Sequence, residues 1–252
     1  MNLKKLRQIA LSGNPVLDLA LMFIIGIIIA RLILPFQAIP FVFEYFWPAQ
    51  GTFWQALWSC WPLFAVGFAL NLWKMATTTN PPEVQSTASS VPWSGFLTSV
   101  SAGVLEEITF RWVLFYGFMG LIWMVANVFF PGLEFWVRDN LSWLTTLLIG
   151  DNTALLEVVG VWTLPLAFLL SNFKFQQGHL YQGLTGFIFS WFGGFFFARV
   201  FFQYSLFYAI VIHFLFDFMV FMMLFADLWI ESKIGAGGAK NRFYHWYRWY
   251  QK

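Results

Sequence analysis

Two adjacent glutamates and an arginine, in the order Glu106-Glu107-Ile-Thr-Phe-Arg111, interrupt a long apolar stretch of the chain. Glu107 and Arg111 are four residues apart, so on a helix they share a face and can form an ion pair. Glu106 points about 100° away around such a helix. A structural ion pair explains Glu107 and Arg111 but leaves Glu106 unexplained. We therefore interpret Glu106 as a general base that activates water.

A histidine closes a second polar cluster, Phe175-Gln-Gln-Gly-His179, at the end of an apolar segment. An imidazole can donate a hydrogen bond to an oxyanion, move protons or bind a metal. Taken alone, His179 is better explained as a packing residue at the membrane interface.

The third cluster, His213-Phe-Leu-Phe-Asp217, lies within the last apolar segment. His213 and Asp217 are four residues apart, so the carboxylate can fix the orientation of the imidazole. The pair can also be a self-satisfied polar contact between helices. The three clusters together predict a hydrolytic site. In it Glu106 activates water, and His179 and His213 stabilise the tetrahedral oxyanion.

These residues must be positioned by membrane helices, because the chain is 60% hydrophobic and only 10% charged. Soluble domains have about 25% charged residues. Ionisable groups at bilayer depth cost about 2.5–3.5 kcal/mol on insertion scales, which makes them functional candidates. The net charge of +2 gives no reason to expect a nucleic-acid partner, and one cysteine, Cys60, excludes an intrachain disulfide.

The apolar segments predict an all-α, polytopic bundle of about six transmembrane helices, or up to eight if the long third segment and residues 141–149 also span. We expect residues 141–149 to lie in the interface. The predicted helices are 15–36, 53–75, 95–128, 153–179, 183–202 and 205–229. With six helices, ten of the 14 lysines and arginines lie on the side of the termini and three on the other, which predicts cytoplasmic termini.

We divide the chain into two N-terminal helices with a polar loop (1–94), a helical core (95–230) and a basic aromatic tail (231–252). The tail suits the headgroup layer, either as a membrane anchor or as a substrate-docking arm. The 33 phenylalanines and 15 tryptophans are expected to face lipid and the interface. The sequence carries no signal for an oligomeric state.

In this order, the three clusters resemble the motifs of the CPBP family, the CAAX proteases and bacteriocin-processing enzymes, also called Abi. The family pattern is Glu-Glu-x-x-x-Arg, then Phe-x-x-x-His, then His-x-x-x-Asn or Asp. The resemblance covers about residues 95–220. The matching residues are Glu106, Glu107, Arg111, Phe175, His179, His213 and Asp217.

The resemblance implies an all-helical, glutamate-dependent intramembrane endopeptidase. Eukaryotic relatives remove the C-terminal tripeptide of prenylated proteins, and prokaryotic ones are linked to peptide maturation and bacteriocin immunity. We expect a peptide or protein substrate, prenylated or leader-bearing, in the lipid bilayer of a prokaryotic cell. The resemblance implies a catalytic site formed by Glu106, His179, His213 and Asp217. It also implies supporting roles for Glu107, Arg111 and Phe175. Asp217 stands where many members have asparagine.

Three alternatives remain open from the sequence. No cofactor is expected, but His179, His213 and Asp217 are possible zinc ligands in a metal-dependent version of the same protease. The protein can also be a catalytically inactive scaffold or immunity protein, which would tolerate the loss of Glu106. A proton-coupled transporter is disfavoured, because the two halves show no repeat. The sequence also lacks the His-Glu-x-x-His and Gly-x-Ser-Gly motifs of other intramembrane proteases.

Overall fold

A computed structural model of the chain describes residues 51–77, 88–150 and 161–234, and within these ranges the regular structure is entirely helical. The helices are α1 (Phe53–Ser59), α2 (Trp61–Thr77), α3 (Val91–Glu106), α4 (Leu114–Phe129), α5 (Leu133–Ile149), α6 (Leu164–Gly178), α7 (Gly183–Gln203) and α8 (Leu206–Ile234). A π-helical segment, Glu107–Val113, joins α3 to α4 without a break. The predicted helical membrane bundle is therefore confirmed.

Three stretches of the described residues are long and apolar enough to cross a bilayer: Val91–Phe129, Leu180–Gln203 and Leu206–Ser232. They correspond to the third, fifth and sixth predicted helices. The bent pair α1 and α2 would form a fourth span. The first predicted helix, 15–36, lies outside the described residues, as does the basic tail beyond Ile234.

The second predicted helix, 53–75, was wrong as one continuous element, because α1 and α2 meet at an angle of 54° around Cys60. Pro62 explains the break. It has no N–H to donate to the carbonyl four residues back, and its ring clashes with that carbonyl in a continuous helix. At the second position of a new helix both problems disappear.

The fourth predicted helix, 153–179, is also shorter than expected where the structure describes it. Residues 151–160 are not described, Val161–Thr163 form a 3-10 turn, and α6 begins at Leu164. Pro165 lies in its first turn, where a missing N–H costs nothing. The 15 residues of α6 rise about 22 Å, less than the hydrocarbon thickness of about 30 Å.

The chain divides into two compact units. Among the described residues, one comprises 51–56, 104–150 and 161–210, and the other comprises 57–77, 88–103 and 211–234. In the first unit, α6 packs against α4, α5 and α7. Its core contains phenylalanines that were expected to face lipid, namely Phe115, Phe168, Phe197, Phe201 and Phe202. That expectation was wrong for these rings, although Trp54, Trp58 and Trp73 are exposed as predicted.

Aromatic rings also dominate the packing of the second unit. Phe64 of α2 contacts Phe216 of α8 edge to face, and Phe96 of α3 contacts Phe214 in the same way. Gly95 allows α3 to approach α8 closely, since a Cβ there would lie 2.6 Å from the Cβ of Phe221. Small residues at helix contacts are typical of membrane bundles.

Candidate active site

The glutamate motif lies at the junction between α3 and the π-helical segment. Glu106 is the last residue of α3, and Glu107 and Arg111 lie within Glu107–Val113. In this segment the N–H of Leu114 is donated to the carbonyl of Thr109, five residues back instead of four. Single π turns of this kind occur frequently at functional sites.

Glu107 and Arg111 form the ion pair that their spacing predicts. The Arg111 Nε lies 3.5 Å from the Glu107 Oε2, and the two side chains are 2% and 0% exposed. The guanidinium also stacks over the ring of Phe175, with its Cζ 4.8 Å from the ring centroid. Such a cation over an aromatic face is attracted by the ring quadrupole. Both charges are thus enclosed by the protein.

Glu106 lies in different surroundings from its neighbour. Its side chain is 30% exposed, and its Oε2 lies 3.9 Å from the Nε2 of His179. Of the two adjacent carboxylates, Glu107 is enclosed against an arginine and Glu106 faces a histidine and solvent-accessible space. The two glutamates therefore differ in the way that the sequence predicts.

His179 occupies the C-terminal cap of α6, as its position at the end of the apolar segment predicts. Its backbone N–H is donated to the carbonyl of Gln176, and its Nδ1 lies 2.8 Å from the carbonyl oxygen of Phe175. A carbonyl can only accept, so Nδ1 carries the hydrogen. The Nε2 is consequently the ring atom that faces Glu106.

Phe175 connects the buried ion pair to the histidine. Its ring is buried and contacts three groups: the Arg111 guanidinium, the His179 imidazole at 4.6 Å and the Phe110 ring at 5.3 Å, the last two between centroids. Phe175 therefore packs against both the guanidinium and the imidazole. This arrangement is consistent with the supporting role that the sequence suggested.

His213 and Asp217 lie in the second unit, on α8. The His213 Nε2 lies 3.6 Å from the Asp217 Oδ2, so the two side chains share a face of the helix, as their spacing predicts. His213 is buried and Asp217 is partly exposed. The convergence of this pair with Glu106 and His179, which belong to the first unit, remains a prediction.

The zinc alternative requires at least three protein ligands in one place. Among the residues that the structure describes, no three histidine, cysteine, aspartate or glutamate side chains are grouped in a way that could hold a metal ion. Glu106 with His179 offers two ligands, and His213 with Asp217 offers two. Metal dependence is therefore left to experiment.

Sequence reasoning missed a set of buried polar side chains on α6. Asn172 donates its amide to the carbonyl of Trp191, and Gln176 donates to the carbonyl of Phe187, so two residues four apart on α6 bond two carbonyls four apart on α7. Their spacing within an apolar segment was a usable signal, because polar residues in membrane helices commonly hydrogen-bond to neighbouring helices.

Ser171 was also missed, and its hydroxyl donates to the carbonyl of Phe110 in the π-helical segment. On α8, Asp227 and Glu231 are buried four residues apart. The sequence predicts that this helix ends at 229 and that Glu231 lies in the tail, whereas α8 continues to Ile234. A serine within a helix, such as Ser171, gives no sequence signal that its hydroxyl bonds a carbonyl of another helix.

The comparison with known families agrees with the motif reading. Residues 88–219, slightly more than half of the 252-residue chain, match the family described as type II CAAX prenyl endopeptidase Rce1-like. The chain belongs to this family. The matched range contains every residue that the three motifs singled out, and the predicted CPBP resemblance is confirmed. No match was found among curated proteins or among solved structures.

Family membership gives the general class of the molecule. The type II CAAX endopeptidases are membrane proteases, so this chain is a membrane protein of a protease family, and a protein in the membrane is the substrate that such a family implies.

Proposed function

We propose that the protein is an intramembrane endopeptidase in which Glu106 activates water to hydrolyse a peptide bond. The observation that carries the proposal is the contrast between the two adjacent glutamates. Glu107 is enclosed with Arg111, whereas Glu106 is partly exposed and lies 3.9 Å from the Nε2 of His179. A general base must reach the attacking water, and of the two side chains Glu106 is the one that is partly exposed.

The separation of Glu106 and His179 suits a shared water molecule. At 3.9 Å the two atoms are too far apart for a direct hydrogen bond. A water about 2.8 Å from each atom would subtend an angle of about 90° between them. In this position its oxygen is held by two groups and can attack a carbonyl placed on the open side.

The reaction follows from these groups. Glu106 takes a proton from the water as the water oxygen forms a bond to the carbonyl carbon, and negative charge moves to the carbonyl oxygen. His179 and His213 donate hydrogen bonds to this oxyanion, with Asp217 orienting His213. For His179 this requires the doubly protonated ring, since Nδ1–H is held by Phe175. Collapse breaks the C–N bond, and Glu106 returns its proton to the leaving amine.

The proposed substrates are membrane-associated proteins or peptides, prenylated or leader-bearing, and no cofactor is included. The test is cleavage of fluorogenic prenylated, leader and transmembrane peptides by purified protein in liposomes. Wild type is compared with Glu106→Gln, each with and without a strong chelator. Glu134→Gln is the matched control, because Glu134 is an exposed glutamate on α5.

Loss of cleavage in Glu106→Gln alone, with Glu134→Gln active and the chelator without effect, is the expected result. Loss with the chelator and recovery with zinc would replace the proposal by the metal-dependent version. Full activity of Glu106→Gln would refute the role of this residue. Absence of cleavage of all three peptide classes by wild type would favour an inactive scaffold.

A further inference from the structure

A hydrogen bond joins α6, whose C-terminal cap is His179, to the π-helical segment that follows Glu106. The Ser171 hydroxyl on α6 donates to the main-chain carbonyl of Phe110, which lies in the π-helical segment that begins directly after Glu106. Ser171 is buried, so its hydroxyl has no competing bulk water. The bond lies within the first compact unit.

The π turn explains why this carbonyl is available. In an α-helix the carbonyl of Phe110 would accept the N–H of Leu114, four residues later. Here the Leu114 N–H is donated to the carbonyl of Thr109 instead. The Phe110 carbonyl is thereby released from that bond and accepts the Ser171 hydroxyl. The serine thus satisfies an acceptor that the π turn exposes.

Ser171 is the first member of a stripe on α6. Ser171, Phe175 and His179 follow one another at intervals of four residues and therefore lie along one face. Ser171 holds the carbonyl of Phe110, Phe175 packs on the Phe110 ring, and His179 faces Glu106. Over about 12 Å along α6, three contacts join it to the short stretch from Glu106 to Phe110.

We propose that Ser171 is a positioning residue that holds the π turn and so sets the separation between Glu106 and His179. The catalytic part of this inference rests on the proposed function. Loss of the hydroxyl lets the segment revert towards α-helical bonding, which rotates Glu106 relative to His179. Because a misplacement of about 1 Å can lower a rate by about a hundredfold, we expect kcat to fall at least about tenfold with KM nearly unchanged.

The test compares Ser171→Ala, Ser171→Thr and Ser171→Val in liposomes. Threonine and valine have nearly the same size, but only threonine keeps the hydroxyl, so their ratio isolates the hydrogen bond from packing. Ser99→Ala is the matched control, since Ser99 is a buried serine whose hydroxyl bonds only within its own helix, to the carbonyl of Gly95. The expected order of kcat is wild type and Ser99→Ala first, then Thr, with Val and Ala at least about tenfold lower.

A second measurement does not depend on activity. The chain contains three histidines, so ¹⁵N-histidine NMR gives one pair of ring-nitrogen signals for each of three imidazoles, and His179→Gln assigns the relevant pair. These signals should shift in Ser171→Val and not in Ser171→Thr or Ser99→Ala. Equal signals and equal kcat for Thr and Val would overturn the inference. If Glu106→Gln stays active while the His179 signal still depends on the hydroxyl, the proposed function fails and the positioning role stands.

Discussion

Two glutamate–arginine pairs in this chain have the same spacing and opposite surroundings, and this difference makes their contributions to stability separable. In Glu107–Arg111 the side chains are 0% and 2% exposed and the atoms are 3.5 Å apart. In Glu134–Arg138, on α5, they are 42% and 53% exposed and only 2.8 Å apart. Judged by distance alone, the exposed pair would be the stronger.

We expect the opposite order when one partner is removed. Deleting Glu107 removes the partner of the enclosed Arg111 charge, and breaking a buried pair in this way typically costs about 3–5 kcal/mol. Deleting Glu134 leaves an arginine that water can solvate, and exposed pairs contribute about 0–1 kcal/mol. For a chain of this size about 4 kcal/mol corresponds to a fall in Tm on the order of 10 °C, against about 2 °C or less for the exposed pair.

The assay is thermal unfolding in detergent of Glu107→Ala, Arg111→Ala, Glu134→Ala and Arg138→Ala, together with the double variant Glu107→Gln/Arg111→Met. The double variant should recover part of the stability, because it removes both charges and keeps most of the volume. Equal Tm shifts for the buried and exposed single variants would refute the reasoning. A double variant no more stable than the single variants Glu107→Ala and Arg111→Ala would contradict the cost assigned to the stranded charge.

Three further outcomes are expected. Gly194→Ala should lower Tm, because a Cβ at Gly194 would lie 2.9 Å from the side-chain Cγ of Asn172 on α6. Gly132→Ala should leave Tm unchanged, because a Cβ there meets nothing within 4 Å. Phe175→Leu should lower kcat while leaving Tm nearly unchanged, since the imidazole loses its aromatic support. A large fall in Tm together with the fall in kcat would contradict this. Asp217→Asn should keep cleavage within about tenfold of wild type, whereas Asp217→Leu, which offers His213 no acceptor, should abolish it, and equal activities would exclude an orienting role.

The sequence was informative where one periodicity decides the result. The spacing of four residues placed Glu107 beside Arg111 and His213 beside Asp217, and both contacts are present. The position of His179 at a helix end followed from the end of an apolar run. The break at Cys60 could also have been predicted, because Pro62 lies inside the second apolar segment. The length and hydropathy of that segment, taken alone, predict one continuous helix.

Other features had no equivalent signal. An apolar ring is equally stable in lipid and in a protein core. Composition therefore does not distinguish Phe197, which is in the core, from Trp73, which is on the surface. The π turn leaves the pattern of apolar and polar residues nearly unchanged, because it alters main-chain bonding over a single turn. Ser171 could not be assigned for the same reason, since its partner is a carbonyl that only the π turn releases.

The division of labour between the adjacent glutamates follows from their surroundings. Glu107 is enclosed with the Arg111 guanidinium, so its surroundings suit it to hold that arginine. Arg111 in turn packs on Phe175, which supports the imidazole that faces Glu106. In the proposed mechanism the buried pair would therefore act indirectly, by supporting the ring that packs on the histidine. In the proposed mechanism the base is the carboxylate that is partly exposed, and its neighbour holds the arginine.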